Sequence, residues 1–270
     1  MSDPVVILGL GFTTQRLVRR LRQRGISVFA VARSPEGFTE FTRLGVQLRP
    51  LFAEIAKDIP RHAVLIHSIP PLDDDAQNSA VRALVAAIAP RRIVYISSTG
   101  VYGSQTEVNA TTLAAPNDEK GHARVAEEVW LRAQCPSTII LRSAAIYGPD
   151  RGIHVRLREG KIPRGAGAFV SRIHVDDLVA ILDAAVESTL QGAWPVADDC
   201  PAVSEEVAAW CASLMGLPLP EGNARSFPVA GRRVDGRKIR QLLGVKLTYA
   251  SYREGIPASL EEENTQKADQ

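Results

Sequence analysis

Apolar residues in the first half of the chain come in short runs, separated by stretches with helical spacing. Val5-Val6-Ile7-Leu8 is a continuous apolar run, the pattern of a central parallel strand covered on both faces. It ends at Gly9, and Leu17, Val18 and Leu21 then recur on one helical face until Gly25 stops the helix. The pattern predicts strands over 26–31, 46–48 (a weak one), 62–67, 93–97 and 138–141. It predicts helices over 73–89 and 118–133, the first opened by Asp73, Asp74 and Asp75, which suit a helix N-terminal dipole. Strands alternating with helices in this way predict an α/β fold with a doubly wound parallel sheet of Rossmann type. Beyond Gly148-Pro149 the pattern loosens. Residues 151–170 read as loop-rich, 176–186, 204–215 and 237–243 as helices, and the polar tail 261–270 as frayed.

Composition narrows the class. At 45% hydrophobic and 23% charged, the 270 residues are neither disordered nor fibrous. Lys and Arg number 32 against 30 Asp and Glu, too balanced for a nucleic-acid partner. Five arginines between positions 16 and 24 read as a solvated helix face. Cys135, Cys200 and Cys211 are too sparse for a disulfide framework or a zinc site, and the five histidines have no metal-ligand spacing, so no metal is expected. No stretch approaches the roughly 18 apolar residues of a membrane span, and the N-terminus has no leader pattern. The expectation is a soluble, cytoplasmic protein.

The candidate chemistry begins at Gly9-Leu10-Gly11-Phe12-Thr13-Thr14, where the first strand meets the first helix. A dinucleotide fingerprint requires that context: one glycine for the tight turn, a second so that the backbone can approach the pyrophosphate on the helix N-terminus. Thr14 replaces the third glycine, so the helix is expected slightly further from the strand. No acidic residue lies between Pro4 and Pro35, and the second strand ends at Ala32-Arg33-Ser34. A carboxylate there would select the ribose 2′-hydroxyl of NAD(H). Arg33 instead suits a 2′-phosphate, which favours NADP(H) over NAD(H).

Further strings follow in order: Ser97-Ser98-Thr99-Gly100-Val101-Tyr102-Gly103, Ala145-Ile146-Tyr147-Gly148-Pro149, Arg172-Ile173-His174-Val175-Asp176-Asp177, and Trp194 to Asp199. Together they resemble the short-chain dehydrogenase/reductase superfamily, in its extended epimerase/dehydratase-like branch. The resemblance implies an NAD(P)-binding domain over 1–150, to which 171–195 return, and a small substrate-binding lobe from 151–170 and 196–270. It implies an oxidoreductase acting on a carbonyl or hydroxyl of a small, sugar-like substrate, for instance a sugar nucleotide, and a homodimer. Ser98 takes the place of the serine that hydrogen-bonds the reacting oxygen. Ser68, Ile69, Pro70 and Ile146 fall where the family holds its cofactor, and Tyr102, Tyr147, Arg151 and Arg172 where it meets substrate.

The Tyr-x-x-x-Lys pair of the family is missing. Lys120 stands at the tyrosine position and Arg124 at the lysine position, as in atypical members of the superfamily. Three alternatives follow. Lys120 replaces the proton donor, with Arg124 one turn on; Tyr102 or Tyr147 reaches the site instead; or the protein is a catalytically silent NADP(H)-binding sensor or regulator.

Overall fold

A computed structural model describes residues 3–51, 59–161, 167–220 and 231–268. The elements run β1 (Val5–Leu8), α1 (Phe12–Gln23), β2 (Val28–Ala32), α2 (Thr39–Arg43), β3 (Gln47–Pro50), β4 (Val64–His67), α3 (Asp75–Ile88), β5 (Arg92–Ser98), β6 (Glu107–Val108), α4 (Glu119–Gln134) and β7 (Thr138–Ser143). They continue with β8 (Ala145–Tyr147), α5 (Ile153–Arg158), β9 (Phe169–Val170), β10 (Arg172–His174), α6 (Val175–Glu187), β11 (Gly192–Val196), β12 (Ala202–Val203), α7 (Ser204–Met215), β13 (Arg233–Val234), α8 (Arg237–Leu243) and α9 (Tyr252–Ala268).

Seven strands form one sheet in the order β11-β7-β5-β4-β1-β2-β3. The pairings of β1 with β2 and β4, of β2 with β3 and of β4 with β5 are parallel. The chain starts in the middle of the sheet, winds outward one way and then the other, as a Rossmann-type sheet does. β1, β2 and β4 are buried along their whole length, which is why they read as unbroken apolar runs.

The chain divides into two compact units. The first contains 1–101, 118–142 and 179–194; the second contains 102–117, 143–178 and 195–270. In the first, Val6, Phe29, Leu65, Val85, Ile93, Tyr95 and Leu131 belong to one core. A buried arginine ties its far end together. Arg92 on β5 donates to the Ala185 carbonyl (2.8 Å), the Ser137 hydroxyl (3.1 Å), the Ser188 hydroxyl (2.8 Å) and the Leu190 carbonyl (3.0 Å). In the second unit, Leu157, Val207, Cys211, Tyr252 and Ile256 pack together, and its remaining strands form three two-stranded pieces.

Three expectations need correction. Residues 261–268 are not frayed, and 269–270 lie outside the described residues: α9 runs to Ala268, because Tyr252, Ile256, Ser259 and Glu263 share a buried face. Glu263 is only 2% exposed; it accepts the Asp150 N–H (2.7 Å), meets His154 Nε2 (3.2 Å) and pairs with Arg158. Next, 151–170 hold the short helix α5, though 162–166 lie outside the described residues. Finally, the arginines of α1 do more than face solvent. Arg20 donates to Asp183 (2.7 Å), Arg24 bonds Asp183 and Glu187, and Arg19 meets Glu40 (2.8 Å), fastening α1 to α6 and α2.

Candidate functional site

The turn between β1 and α1 is built for close approach. Gly9 has φ +93°, and a Cβ there would lie 2.6 Å from Ser68 Oγ and 2.9 Å from Ile69 Cγ1. No other residue fits that position. The Ser68 hydroxyl donates to the Gly9 carbonyl (2.8 Å), so the expected cofactor residues after β4 sit against the expected cofactor loop. Gly11 caps α1 at φ −107°, and a Cβ added to it meets nothing within 4 Å. Thr14, 1% exposed, uses its hydroxyl to donate to the Gly9 carbonyl (2.7 Å) and to accept the Gly11 N–H (2.8 Å). What replaces the third glycine is therefore a side-chain brace across the turn. Leu10 and Thr13 are buried and Phe12 is half-buried. Arg33 and Ser34 are exposed immediately after β2, and Pro70 is exposed beyond β4.

Ser98 ends β5, half-buried, its Oγ accepting the Gly100 N–H at 3.1 Å. Lys120 is exposed in the first turn of α4, which Asp118 caps by accepting the Gly121 N–H (2.6 Å). Arg124, one turn on, is half-buried and lies beside the Tyr95 hydroxyl. Burial pushes the Tyr95 phenol well above its ordinary pKa, with Arg124 opposing. Beneath them α4 carries two buried carboxylates. Glu128 accepts the Ser97 hydroxyl (2.7 Å) and both arms of Arg142 (3.1 and 2.7 Å). Glu127 meets Arg82 (2.9 Å) and His67 (3.7 Å); burial works against its charge, yet His67 and Arg82 hold it below the usual carboxylate range.

The second unit contains a cavity of about 630 Å³ lined by Ile146, Tyr147, Arg151, Arg156, Arg172 and Ser204, among others. Its size is that of a small-molecule site. Tyr147 is 3% exposed, its hydroxyl donating to the Ser251 carbonyl (3.2 Å) and its ring edge-on to His174. Burial drives its pKa up, helped by Asp198 and Asp177. Arg172, 6% exposed, donates to the Val170 carbonyl (2.8 Å); burial pulls its pKa down and Asp198 opposes. Arg151 is exposed at the rim, and its backbone closes a turn with Gly148 (2.9 and 3.0 Å). Three of the four expected substrate residues thus share one cavity, joined by Ile146, which was expected at the cofactor. The fourth, Tyr102, is fully buried and is not among the lining residues.

No family model matches the chain. A curated 3-diazoavenalumate denitrifying reductase from a Streptomyces species is 32% identical over 142 residues, a match that spans 44% of this chain and 45% of the relative. Among solved structures, a functionally unknown conserved protein from Silicibacter pomeroyi superposes with TM-score 0.83 at 31% identity, covering 97% of this chain and 99% of the other. MoeE5, solved with UDP-glucose and NAD, superposes with TM-score 0.79 at 22% identity over 99% of this chain and 100% of its own. A WbmG structure from Bordetella bronchiseptica with NAD and UDP gives TM-score 0.78 at 17% identity over 98% of this chain and 96% of its own. By fold, the chain is similar to these structures and to a putative NAD-dependent epimerase/dehydratase from Methylobacillus flagellatus, which superposes with TM-score 0.76 at 23% identity over 97% of this chain and 99% of its own.

Sequence reading missed Arg156 and the buried carboxylates of α4. Arg156 lies on a helix of six residues, too short to show a period. Glu127 and Glu128 are adjacent, and acidic neighbours on a helix ordinarily read as a solvated face. Only their spacing from Gly121 and Leu131, both on the buried side, carried a signal.

Proposed function

We propose that this short-chain dehydrogenase/reductase-fold protein binds NADP(H) on the β1–α1 turn and acts as an oxidoreductase on a small, anionic, sugar-like substrate. The observation that carries the reading is the turn itself: Gly9 is locked against Ser68, while the space beside Gly11 is open, as a pyrophosphate resting on the backbone requires. Gly9 to Thr14, with Ser68, Ile69 and Pro70, would hold the dinucleotide, which when bound would supply or accept a hydride. Arg33, beside Ser34 in a stretch without a carboxylate from Pro4 to Pro35, would pair with the 2′-phosphate. Ser98 would donate a hydrogen bond to the reacting substrate oxygen and Lys120 would exchange its proton, with Arg124 alongside. Tyr147, Arg151, Arg156 and Arg172 suit a phosphate- or carboxylate-bearing substrate such as a sugar nucleotide. The UDP-glucose and UDP complexes of the structural relatives support that choice, and the reductase relative supports the hydride chemistry. Three free cysteines fit a reducing, cytoplasmic compartment, and the resemblance implies a homodimer.

One observation favours a second reading, in which the chain binds the dinucleotide as a sensor: Lys120, at the position of the family's tyrosine, is exposed. The first test is titration of NADPH and NADH against the wild type and Arg33→Ala. Loss of a charge-assisted pair costs roughly 1.5–3 kcal/mol, about tenfold or more in Kd. NADPH binding should therefore weaken by at least that factor in the variant, with NADH unchanged. Equal affinities for both cofactors in the wild type overturn the NADP(H) assignment.

A further inference from the structure

The cavity of about 630 Å³ around Tyr147 has walls of two kinds. One is apolar. Ile146, Ile153, Val155 and Val170 line it and stay half-buried, and the buried Ile256 and Tyr147 complete that wall. Four aliphatic side chains left half-open around one cavity are surface that a ligand can remove from water.

Neutral hydrogen-bonding groups are scarce there. Among the described residues that line the cavity, only Ser204 and Tyr147 carry a hydroxyl, and none carries an amide or an imidazole. Ser204 is 3% exposed, and the Tyr147 proton is committed to the Ser251 carbonyl (3.2 Å). A polyol needs a partner for each hydroxyl that it brings out of water, and each one left without a partner costs affinity.

The other wall is rich in guanidinium groups. Arg151, Arg156 and Arg172 stand against one lining carboxylate, Asp150. Arg172 is already committed: it donates to the Val170 carbonyl (2.8 Å), and Asp198 opposes its charge. Arg156 is half-buried and Arg151 is exposed at the rim, so both present surface to an anion.

We propose that the group seated in this cavity is an apolar acid, with an aryl or branched alkyl body against the four half-buried aliphatic side chains and its anionic end at Arg151 and Arg156. The inference rests on the reading of this cavity as the substrate site and narrows that reading. The anionic end stands, and the part of the substrate that lies here is hydrocarbon instead of sugar ring.

The test uses the full chain without dinucleotide and two carboxylates of equal charge as probes, 3-phenylpropionate and glucuronate, read by ligand-observed NMR titration. Burial of the phenyl ring should give 3-phenylpropionate an affinity at least tenfold above that of glucuronate. Arg156→Ala should weaken 3-phenylpropionate by about tenfold or more, through loss of a charge-assisted pair. Val155→Thr keeps the shape of the apolar wall and puts a hydroxyl into it, and should weaken 3-phenylpropionate at least threefold with glucuronate not weakened. Glucuronate binding as tightly as 3-phenylpropionate, or more tightly, overturns the inference and leaves the anionic, sugar-like reading standing. An affinity for 3-phenylpropionate that neither variant changes puts the acid elsewhere on the protein and also overturns the inference. A wild type that binds neither acid overturns both the inference and the substrate reading of the cavity. If Arg156→Ala fails to fold, Val155→Thr and the ratio of the two acids on the wild type still decide.

Discussion

The two glycines of the β1–α1 turn should respond oppositely to substitution. Gly9→Ala puts a methyl group where φ is +93° and where Ser68 Oγ and Ile69 Cγ1 stand 2.6 and 2.9 Å away. Backbone strain of this kind costs roughly 1–3 kcal/mol, and the overlap adds about 1–3 kcal/mol by displacing neighbours in a packed interior. A total of about 2–6 kcal/mol corresponds to a fall in Tm of roughly 4–12 °C, at about 2 °C per kcal/mol for a chain of this size. Gly11→Val meets no atom within 4 Å and has an ordinary φ of −107°. Its only structural cost is a poor helix cap, up to about 1 kcal/mol, or about 2 °C. Yet its branched side chain fills the space proposed for the pyrophosphate. NADPH at about a hundred times its Kd should stabilise the wild type by roughly 2.7 kcal/mol, about 5 °C, and leave the valine variant unmoved. Thermal denaturation of both variants with and without NADPH reads all four quantities. A Gly11→Val protein that still gains the full shift would falsify the placement of the dinucleotide, and a Gly9→Ala protein as stable as the wild type would refute the steric argument.

Other outcomes follow from the same structure. If Lys120 is the proton donor, Lys120→Met should lower turnover by roughly 10²–10⁴-fold with NADPH affinity nearly unchanged; steady-state kinetics showing full turnover would remove Lys120 from the reaction. Glu263→Ala takes the shared acceptor from Arg158, His154 and the Asp150 N–H, and should cost about 3–5 kcal/mol, seen as a lower denaturant midpoint; an unchanged midpoint would mean that the end of α9 contributes nothing. The folded-state pKa of Asp198, about 7, lies above the ordinary 3.8, so this group's contribution to stability is complete below pH 4 and is lost as pH rises through 7. Asp198→Asn should therefore be more stable than the wild type at pH 8, by up to about 4 kcal/mol, and show no gain at pH 4. Urea titrations at both values check it, and an asparagine variant less stable at pH 8 would contradict the sign.

The central sheet was legible because its strands are buried on both faces: Val5 to Leu8 and Val64 to His67 announce themselves as apolar runs, and the G-x-G turn falls between a clear strand and a clear helix. The second unit was harder to read for physical reasons. β6, β9, β12 and β13 have two residues each, too few to display an alternation. α9 was hidden by its own chemistry, since the last member of its buried face is Glu263, which a polarity pattern assigns to solvent. Asp198 was passed over as one of two acids in a loop. Its burial depends on backbone pairing with Arg172, whose carbonyl accepts the Asp198 N–H at 2.7 Å, and no local pattern encodes that contact. Lys120 and Arg124 could be located on α4 from sequence, but only coordinates separate the exposed lysine from the arginine that reaches Tyr95.

The four hydrogen bonds of Arg92 also set an order of events during synthesis. β5 leaves the ribosome long before Ser137, Ala185, Ser188 and Leu190, so the growing chain must carry this guanidinium in water until residues almost a hundred positions later arrive. Burying it earlier would strand a charge without partners. The first unit can therefore close around Arg92 only after residues 143–178, which belong to the second unit, have been made.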